Sequence, residues 1–443
     1  MPPRPNLLLI NPWITDFTAY DFWLKPLGLL AIGGAARAMT GARLDLVDCL
    51  DAAHPALPRP PRRRPDGRGP FPKERITKPA ILGPVPRRFS RYGLPVALVR
   101  DALRQVPRPD AVLMTCTMTY WYPGVQTAVA LVRETFGAVP VILGGVYATL
   151  CPEHARAESG ADIVVSGPGE RTLPDVLRDI LGDGAVDPSW APHDEPLPAP
   201  AFELLRDKRW LPLLTSRGCP DRCTFCASHL LYPGFRKRSL AAVLAEIEAA
   251  LRAYGTRHFA FYDDALFVDR DRHIVPILEE VIRRRLEVGF HAPNGVHVRE
   301  IDGPFAALLR RAGVRTLFLS QESLDAELVA ARTPKLAAGD LERALAALEA
   351  AGTRRDEVGV YLLAGLPGQS AASVRESVRR VRGLGAVPRL SYFSPLPGTE
   401  EWAGLVRAGK MAAGADPLLH NKLAFPYFWG DISPDEFASL LDG

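Results

Sequence analysis

The chain predicts an α/β protein in two parts: a doubly wound parallel-sheet (Rossmann-like) domain over residues 1–187, then a partial (β/α) barrel over residues 205–400. Two observations carry this expectation. Short apolar runs alternate with helix-period segments twice along the chain. Between the two series, residues 188–204 are so rich in proline that neither pattern survives, which marks a linker. With 443 residues, 47% of them hydrophobic, there is enough apolar mass for two cores.

In the first series, residues 7–11, 44–49, 111–117, 139–144 and 163–167 read as buried strands, and 27–39, 125–136 and 173–181 as helices. Ligands of such sheets lie beyond the carboxyl ends of the strands. The residues at those ends are therefore the candidates: Asn11, Asp48 with Cys49, Thr117, Gly144, Gly145, Tyr147, Thr149, Gly167 and Glu170. An insertion at about 54–93 breaks the rhythm and is rich in proline and arginine. Its composition predicts an irregular excursion with no core of its own. Its charge suits an anionic substrate, cofactor side chains, nucleic acid or solvent, and sparse aromatics argue against a single-strand stacking platform.

In the second series, strands are expected at 211–215, 257–262, 316–320, 358–364 and 389–393, with an amphipathic helix at 240–254 capped by Ser239. That is half to three quarters of a (β/α) barrel, whose functional residues belong at the carboxyl ends of its strands. After the first of these strands comes Arg217-Gly-Cys-Pro-Asp-Arg-Cys-Thr-Phe-Cys226. A structural zinc site closes on four ligands, commonly in two separated pairs, whereas Cys219, Cys223 and Cys226 on one loop leave a fourth position open. A zinc knuckle or inert thiols are the competing readings. Asp263-Asp264, Ser320-Gln-Glu322, Gly365-Leu-Pro-Gly-Gln369 and Ser394-Pro-Leu-Pro-Gly-Thr399 mark later strand ends, each of which alone could be a helix cap or surface turn.

The cysteine loop, with its spacing of three residues and then two and with Phe225 before the last cysteine, resembles the signature of radical S-adenosylmethionine (SAM) enzymes. The Asn-Pro opening, Pro26-Leu-Gly-Leu-Leu30, Leu143-Gly-Gly-Val-Tyr-Ala-Thr149 and Gly160-Ala-Asp-Ile-Val-Val-Ser-Gly-Pro-Gly-Glu170 are similar to the cobalamin-binding domain that precedes the barrel in one large class of these enzymes. The resemblance implies the six-stranded, partial (β/α)6 TIM-like form of the barrel. It also implies one 4Fe–4S cluster on Cys219, Cys223 and Cys226, with SAM on the open iron and Phe225 near the adenine. Asp263, Asp264 and Glu322 would meet the SAM amino group or ribose, and the backbone of Gly365 and Gly368 would pass under the adenine. Cobalamin would lie on Asn11, Thr117, Gly144, Gly145, Tyr147, Thr149, Gly167 and Glu170. The Asp-x-His-x-x-Gly signature is absent, so no histidine is expected on cobalt, and Tyr147 stands where the class often has histidine.

The activity so implied is methyl transfer to an unactivated carbon or a phosphorus centre through a 5′-deoxyadenosyl radical. Its partners would be a small-molecule or peptide substrate and an electron donor such as flavodoxin or ferredoxin. Cobalamin-linked rearrangement or cyclisation retains the same motifs. A methylthiotransferase would need a second cluster on Cys49, Cys116 and Cys151, which read more simply as small buried hydrophobes. A sensor would bind without turnover. A formal charge of +4 does not call for nucleic acid, no stretch is long enough to span a bilayer, and six cysteines in this pattern fit a reducing, cytoplasmic setting rather than a disulfide framework. Residues 401–443 read as an extension whose Phe425-Pro-Tyr-Phe-Trp429 run either packs on the barrel or closes its cavity.

Overall fold

Leu7, Leu8, Leu9 and Ile10 follow one another and all are buried, as a strand covered on both faces requires. They form β1 (Asn6–Asn11), the centre of the first unit in a computed structural model that describes residues 4–187, 189–190, 198–333 and 336–442. The chain divides into two units, Met1–Lys208 with Asp416–Leu419, and Arg209–Ala415 with His420–Gly443. Of the expected linker, residues 188 and 191–197 lie outside the described residues.

The remaining strands of the first unit are β2 (Ile14–Asp16), β3 (Arg43–Asp48), β4 (Lys73–Arg75), β5 (Ser90–Tyr92), β6 (Ala111–Cys116), β7 (Val141–Gly145) and β8 (Ile163–Val164). Five of them form one parallel sheet in the order β3-β1-β6-β7-β8. From β1 the chain moves to β3 on one side, and from β6 it moves to β7 and β8 on the other. Because parallel crossovers are right-handed, this reversal sends the helices Leu27–Thr40 and Tyr122–Phe136 to opposite faces. It also opens a crevice at the carboxyl ends of β1 and β6, the switch point where doubly wound sheets take ligands.

The insertion corrects the expectation. Residues 54–93 are not a structureless excursion: β4 and β5 pair with β2 in a three-stranded antiparallel sheet, and Phe71 and Tyr92 pack with Ile14 and Leu50. Its core borrows residues that precede the segment, so the segment's own composition gave no sign of one. Trp13 fastens this sheet to the parallel one, its indole N–H donating to Leu94 O at 2.7 Å. Gly124 lies so close to Trp13 that a Cβ there would be 2.0 Å from the Trp13 carbonyl oxygen.

The second unit contains β9 (Trp210–Leu213), β10 (Ser216–Arg217), β11 (Arg236–Lys237), β12 (His258–Phe261), β13 (Gly289–His297), β14 (Val314–Glu322), β15 (Gly359–Ala364) and β16 (Val387–Tyr392). Six of these form an all-parallel sheet in sequential order, β9-β12-β13-β14-β15-β16, the partial (β/α)6 barrel. The strand β13 is additional to the five expected from the sequence. Its Pro293-Asn-Gly295 centre carries every signal of a turn, and the pairing with β14 slips there between Ala292 and Val296. Gly295 is needed at this bulge, because a Cβ would be 2.1 Å from Ser320 Oγ. The helix Leu240–Tyr254 begins at Ser239, whose hydroxyl accepts from Ala242 N, and ends at Gly255 in the left-handed conformation.

Candidate functional site

The cysteine loop leaves the carboxyl end of β9 and returns through β11, which pairs antiparallel with β10 and closes the loop at its base. Thr215 and Ser216 bring the chain out of β9, and both donate their backbone N–H and hydroxyl groups to the Asp263 carboxylate at the end of β12. Asp263 is buried, and burial raises its pKa while these four donors oppose the rise. Its acceptor oxygens are engaged in fixing the loop's root. Asp264, next in the chain, is exposed at the surface yet hemmed by protein, and desolvation, then Asp263, raise its pKa. Of the aspartate pair expected near an ammonium group, Asp264 is therefore the one whose carboxylate solvent reaches.

Gly218 follows with φ of 75°, and a Cβ would stand 2.0 Å from the Gly234 carbonyl oxygen. No other residue fits this crossing of the two arms of the loop. Beyond it, Asp221 reaches His297 at the end of β13, 3.3 Å away. Cys226 N donates to Cys223 O at 3.0 Å. Cys223 is buried, Cys219 and Cys226 are half-buried, and none of the six cysteines is in a disulfide. Among the described residues no three ligating side chains come close enough together to hold one metal ion. A cluster that gives each cysteine its own iron does not need the sulfurs to converge, so three thiols spread over one turned loop fit a 4Fe–4S group better than a mononuclear site.

Thr224, between the last two cysteines, is held from three directions. Its hydroxyl donates to Glu401 Oε1 at 2.8 Å, its carbonyl accepts from Glu401 N at 3.1 Å, and its N–H donates to Arg332 O at 3.3 Å. The Arg332 guanidinium pairs with the same Glu401 carboxylate and donates to Pro367 O at 2.7 Å. The cysteine loop is thereby joined to the turn after β15. Within that turn, Gln369 accepts from Gly365 N at 2.9 Å and Leu366 N at 3.3 Å, while its amide donates to Leu363 O. Gly365 and Gly368 both have positive φ. Phe225, expected at the adenine, is partly buried against a cluster that includes Leu366 of this turn, Phe393 and Trp402. Phe425 belongs to that cluster and Trp429 packs on it, so the C-terminal aromatic run packs on the barrel.

Glu322 ends β14 half-buried at φ of 60°, where the pairing with β15 slips. A left-handed conformation in a non-glycine residue at a strand end is strained and points to function. Arg332, Glu401 and the Thr224 network lay outside the sequence expectations. Their one sequence trace is position, Thr224 inside the cysteine motif and Glu401 just past Thr399, which caps the helix Glu400–Arg407.

At the carboxyl ends of the first unit's sheet, side chains tie strands to one another. Asn11 Nδ2 donates to Asp48 Oδ1 at 2.7 Å, and burial pushes the Asp48 carboxyl up to about 6. Thr149 Oγ1 donates to Gly145 O at 2.8 Å and accepts from Gly167 N at 3.0 Å, linking the ends of β7 and β8. Tyr147 has no exposed surface: its hydroxyl meets His154 Nδ1 at 2.7 Å and its ring stacks on Tyr122. That differs from the expectation of a side chain facing a ligand. Gly144 and Gly145 leave bare backbone at the strand end, where a Cβ on Gly144 would meet only Val165 O, at 3.9 Å, and one on Gly145 would strike Thr115 Oγ1 at 2.7 Å. Thr117, Gly167 and Glu170 are half-buried around it. Backbone left open at these strand ends, one strand over from the switch point, fits a broad cofactor. Cys49, Cys116 and Cys151 are buried, and burial raises all three thiols, Cys116 and Cys151 to about 12, opposite to what a thiolate ligand needs.

Residues 213–381 match the Radical SAM superfamily and residues 93–177 the B12 binding domain. An uncharacterized methyltransferase of Pyrococcus horikoshii, PH0819, is 24% identical over 327 residues, 66% of this chain and 69% of that protein. Hopanoid C-3 methylase of Methylococcus capsulatus is 23% identical over 367 residues, 75% and 69% of the two chains. In fold, the chain is similar to the radical SAM methyltransferase TsrM of Kitasatospora setae, with a TM-score of 0.67 over 91% of this chain and 76% of that one at 18% identity. The chain thus carries a B12 binding domain followed by a radical SAM domain, the domain order of the radical SAM enzymes with an N-terminal cobalamin-binding domain that its sequence resembles.

Proposed function

We propose that the protein is a cobalamin-dependent methyltransferase acting at an unactivated carbon or phosphorus centre of a small molecule or peptide. The observation that carries this reading is three thiols on one anchored loop at the carboxyl rim of the barrel, in a chain whose first domain is of the B12-binding kind. Two similar proteins named as methylating enzymes support it. When bound, the cluster and SAM supply a 5′-deoxyadenosyl radical and the cobalamin a methyl group. The protein's own residues bind and orient. Cys219, Cys223 and Cys226 would hold the irons. Asp264 and Glu322 would accept hydrogen bonds from SAM, while Asp263 acts through the loop it anchors. Gly365 and Gly368 would bring backbone close to the adenine, with Phe225 beside it. Asn11, Thr117, Gly144, Gly145, Thr149, Gly167 and Glu170 would border the cobalamin.

The electron donor is proposed to be a flavodoxin or ferredoxin and the setting the reducing cytoplasm, consistent with six cysteines and no disulfide. No helix among the described residues is long and apolar enough to cross a membrane. A second reading, cobalamin-linked cyclisation, draws on a further relative, an anaerobic magnesium-protoporphyrin IX monomethyl ester cyclase of Cereibacter sphaeroides, 24% identical over 255 residues. Anaerobic turnover of the reconstituted protein separates them. Methyl transfer makes S-adenosylhomocysteine and a product one methyl group heavier, whereas 5′-deoxyadenosine with no added methyl would support cyclisation and overturn the first reading.

A further inference from the structure

Six of the insertion's nine arginines divide into two sets, and Arg59, Arg62 and Arg64 lie outside both. Arg63 pairs with Asp21, Arg68 with Asp66 and Arg91 with Glu74, and these hold the segment's shape. Arg75, Arg87 and Arg88 are exposed and, among the described residues, have no carboxylate partner. All three line one cleft of about 600 Å³ together with Lys78, Thr77, Ile76, Pro86 and Phe89, and no acidic side chain lines it. The volume lies in the range of small-molecule sites.

The walls of this cleft are fixed. The pairing of Arg75 with Ser90 and the bond from Ile76 N to Phe89 O continue the small antiparallel sheet into its floor. Leu82, Val85 and Phe89 are buried beneath it. The Lys78 ammonium donates to the carbonyls of Val85 and Gly83, pinning the intervening loop while its charge stays in the cleft. Four cations on a rigid frame with no counter-charge repel one another, and a single carboxylate would neutralise only one of them. Guanidinium forks and an ammonium together match an oxyanion bearing two or more charges.

We propose that this cleft is a binding site for the phosphate or diphosphate group of a small molecule. The proposal stands apart from the chemistry at the cysteine loop and does not depend on it. Because the arginines are exposed, binding weakens as salt rises.

The test is calorimetric titration of the full-length protein with inorganic pyrophosphate at low ionic strength. One site per chain is expected, with affinity falling by about tenfold or more in the variant Arg75→Gln/Arg87→Gln/Arg88→Gln. Arg311→Gln should keep wild-type affinity, since Arg311 lines a different arginine-bearing cavity at the amino end of the barrel strands. In the wild-type protein, pyrophosphate should also protect Arg87 and Arg88 from phenylglyoxal, read by peptide mass, a result that needs no variant to fold. The proposal is overturned by no heat with wild-type protein, by unchanged binding in the triple variant, by loss in Arg311→Gln instead, or by absence of protection. Tighter binding of a duplex oligonucleotide than of pyrophosphate, lost in the triple variant, would also overturn it in favour of a nucleic-acid surface.

Discussion

The rim of the barrel and the strand ends of the first unit are both ligand-bearing edges of parallel sheets, yet they present opposite chemistry. At the barrel rim, Asp263, Thr224, Arg332 and Glu401 are engaged in holding a loop, and what that loop offers is side chains, three thiols. At the first unit's edge, Asn11, Asp48 and Thr149 are engaged in holding strands together and Tyr147 in holding helical residues His154 and Tyr122, and what remains to offer is backbone on Gly144 and Gly145. Covalent ligation demands particular atoms, whereas a broad cofactor demands area. Substitution should therefore be unforgiving at single atoms on one edge and graded on the other.

The sharpest test of that contrast is Cys223→Ala, which should leave a folded protein with well under the about four irons per chain of the wild type and no SAM cleavage. Iron and sulfide analysis after anaerobic reconstitution checks it, and a full complement of iron in the variant would break the assignment. Next in size is Gly218→Ala. The added Cβ meets a backbone oxygen that cannot swing away, so a loss of about 3 kcal/mol is expected in denaturant unfolding of the second unit, with poorer iron retention.

Asp48 sharpens the comparison from the other edge. Its folded pKa, about 6, lies above the usual carboxyl value, so the native state holds a proton that the unfolded chain has released. Stability from this group is fully present below about pH 4 and is lost as pH rises through about 6, amounting to about 2 to 3 kcal/mol. Asp48→Asn keeps an acceptor for Asn11 and should remove that part of the decline, seen as a flatter thermal midpoint between pH 4 and 7. A steeper decline in the variant would refute it. The smallest effect is expected for Thr224→Val, which removes one hydrogen bond to Glu401 while Arg332 still pairs with that carboxylate, about 1 kcal/mol. Its measure is the rate of iron loss to a chelator under anaerobic conditions, faster than wild type but far short of Cys223→Ala.

Much of this was legible in the chain. Long apolar runs such as 7–10 and 112–114 have one use, a strand buried on both faces, and the helix Leu240–Tyr254 lies where its cap and terminal glycine put it. The three cysteines were legible because their spacing is local. The strand β13 was hidden because Pro293, Asn294 and Gly295 mark a bulge with the same residues that mark a turn. The insertion's sheet was hidden because its three-residue strands are too short for a period, and its third strand, β2, lies outside the segment. Arg332 and Glu401 were hidden because they lie 108 and 177 residues from Thr224 along the chain, and no local pattern encodes such a pair.

Arg332 has a thermodynamic consequence. One guanidinium grips both the helix start that clasps the cysteine loop and the carbonyl of Pro367 in the glycine turn. Two segments joined by one guanidinium, and by Phe225 packing on the cluster that holds Leu366, cannot have independent fluctuations. Whatever narrows the ensemble of one narrows the ensemble of the other, and by reciprocity the free energy of that coupling is the same in both directions. Occupancy at the turn and retention at the loop are thus linked quantities, and the Arg332 guanidinium is one of the links that sets how strongly.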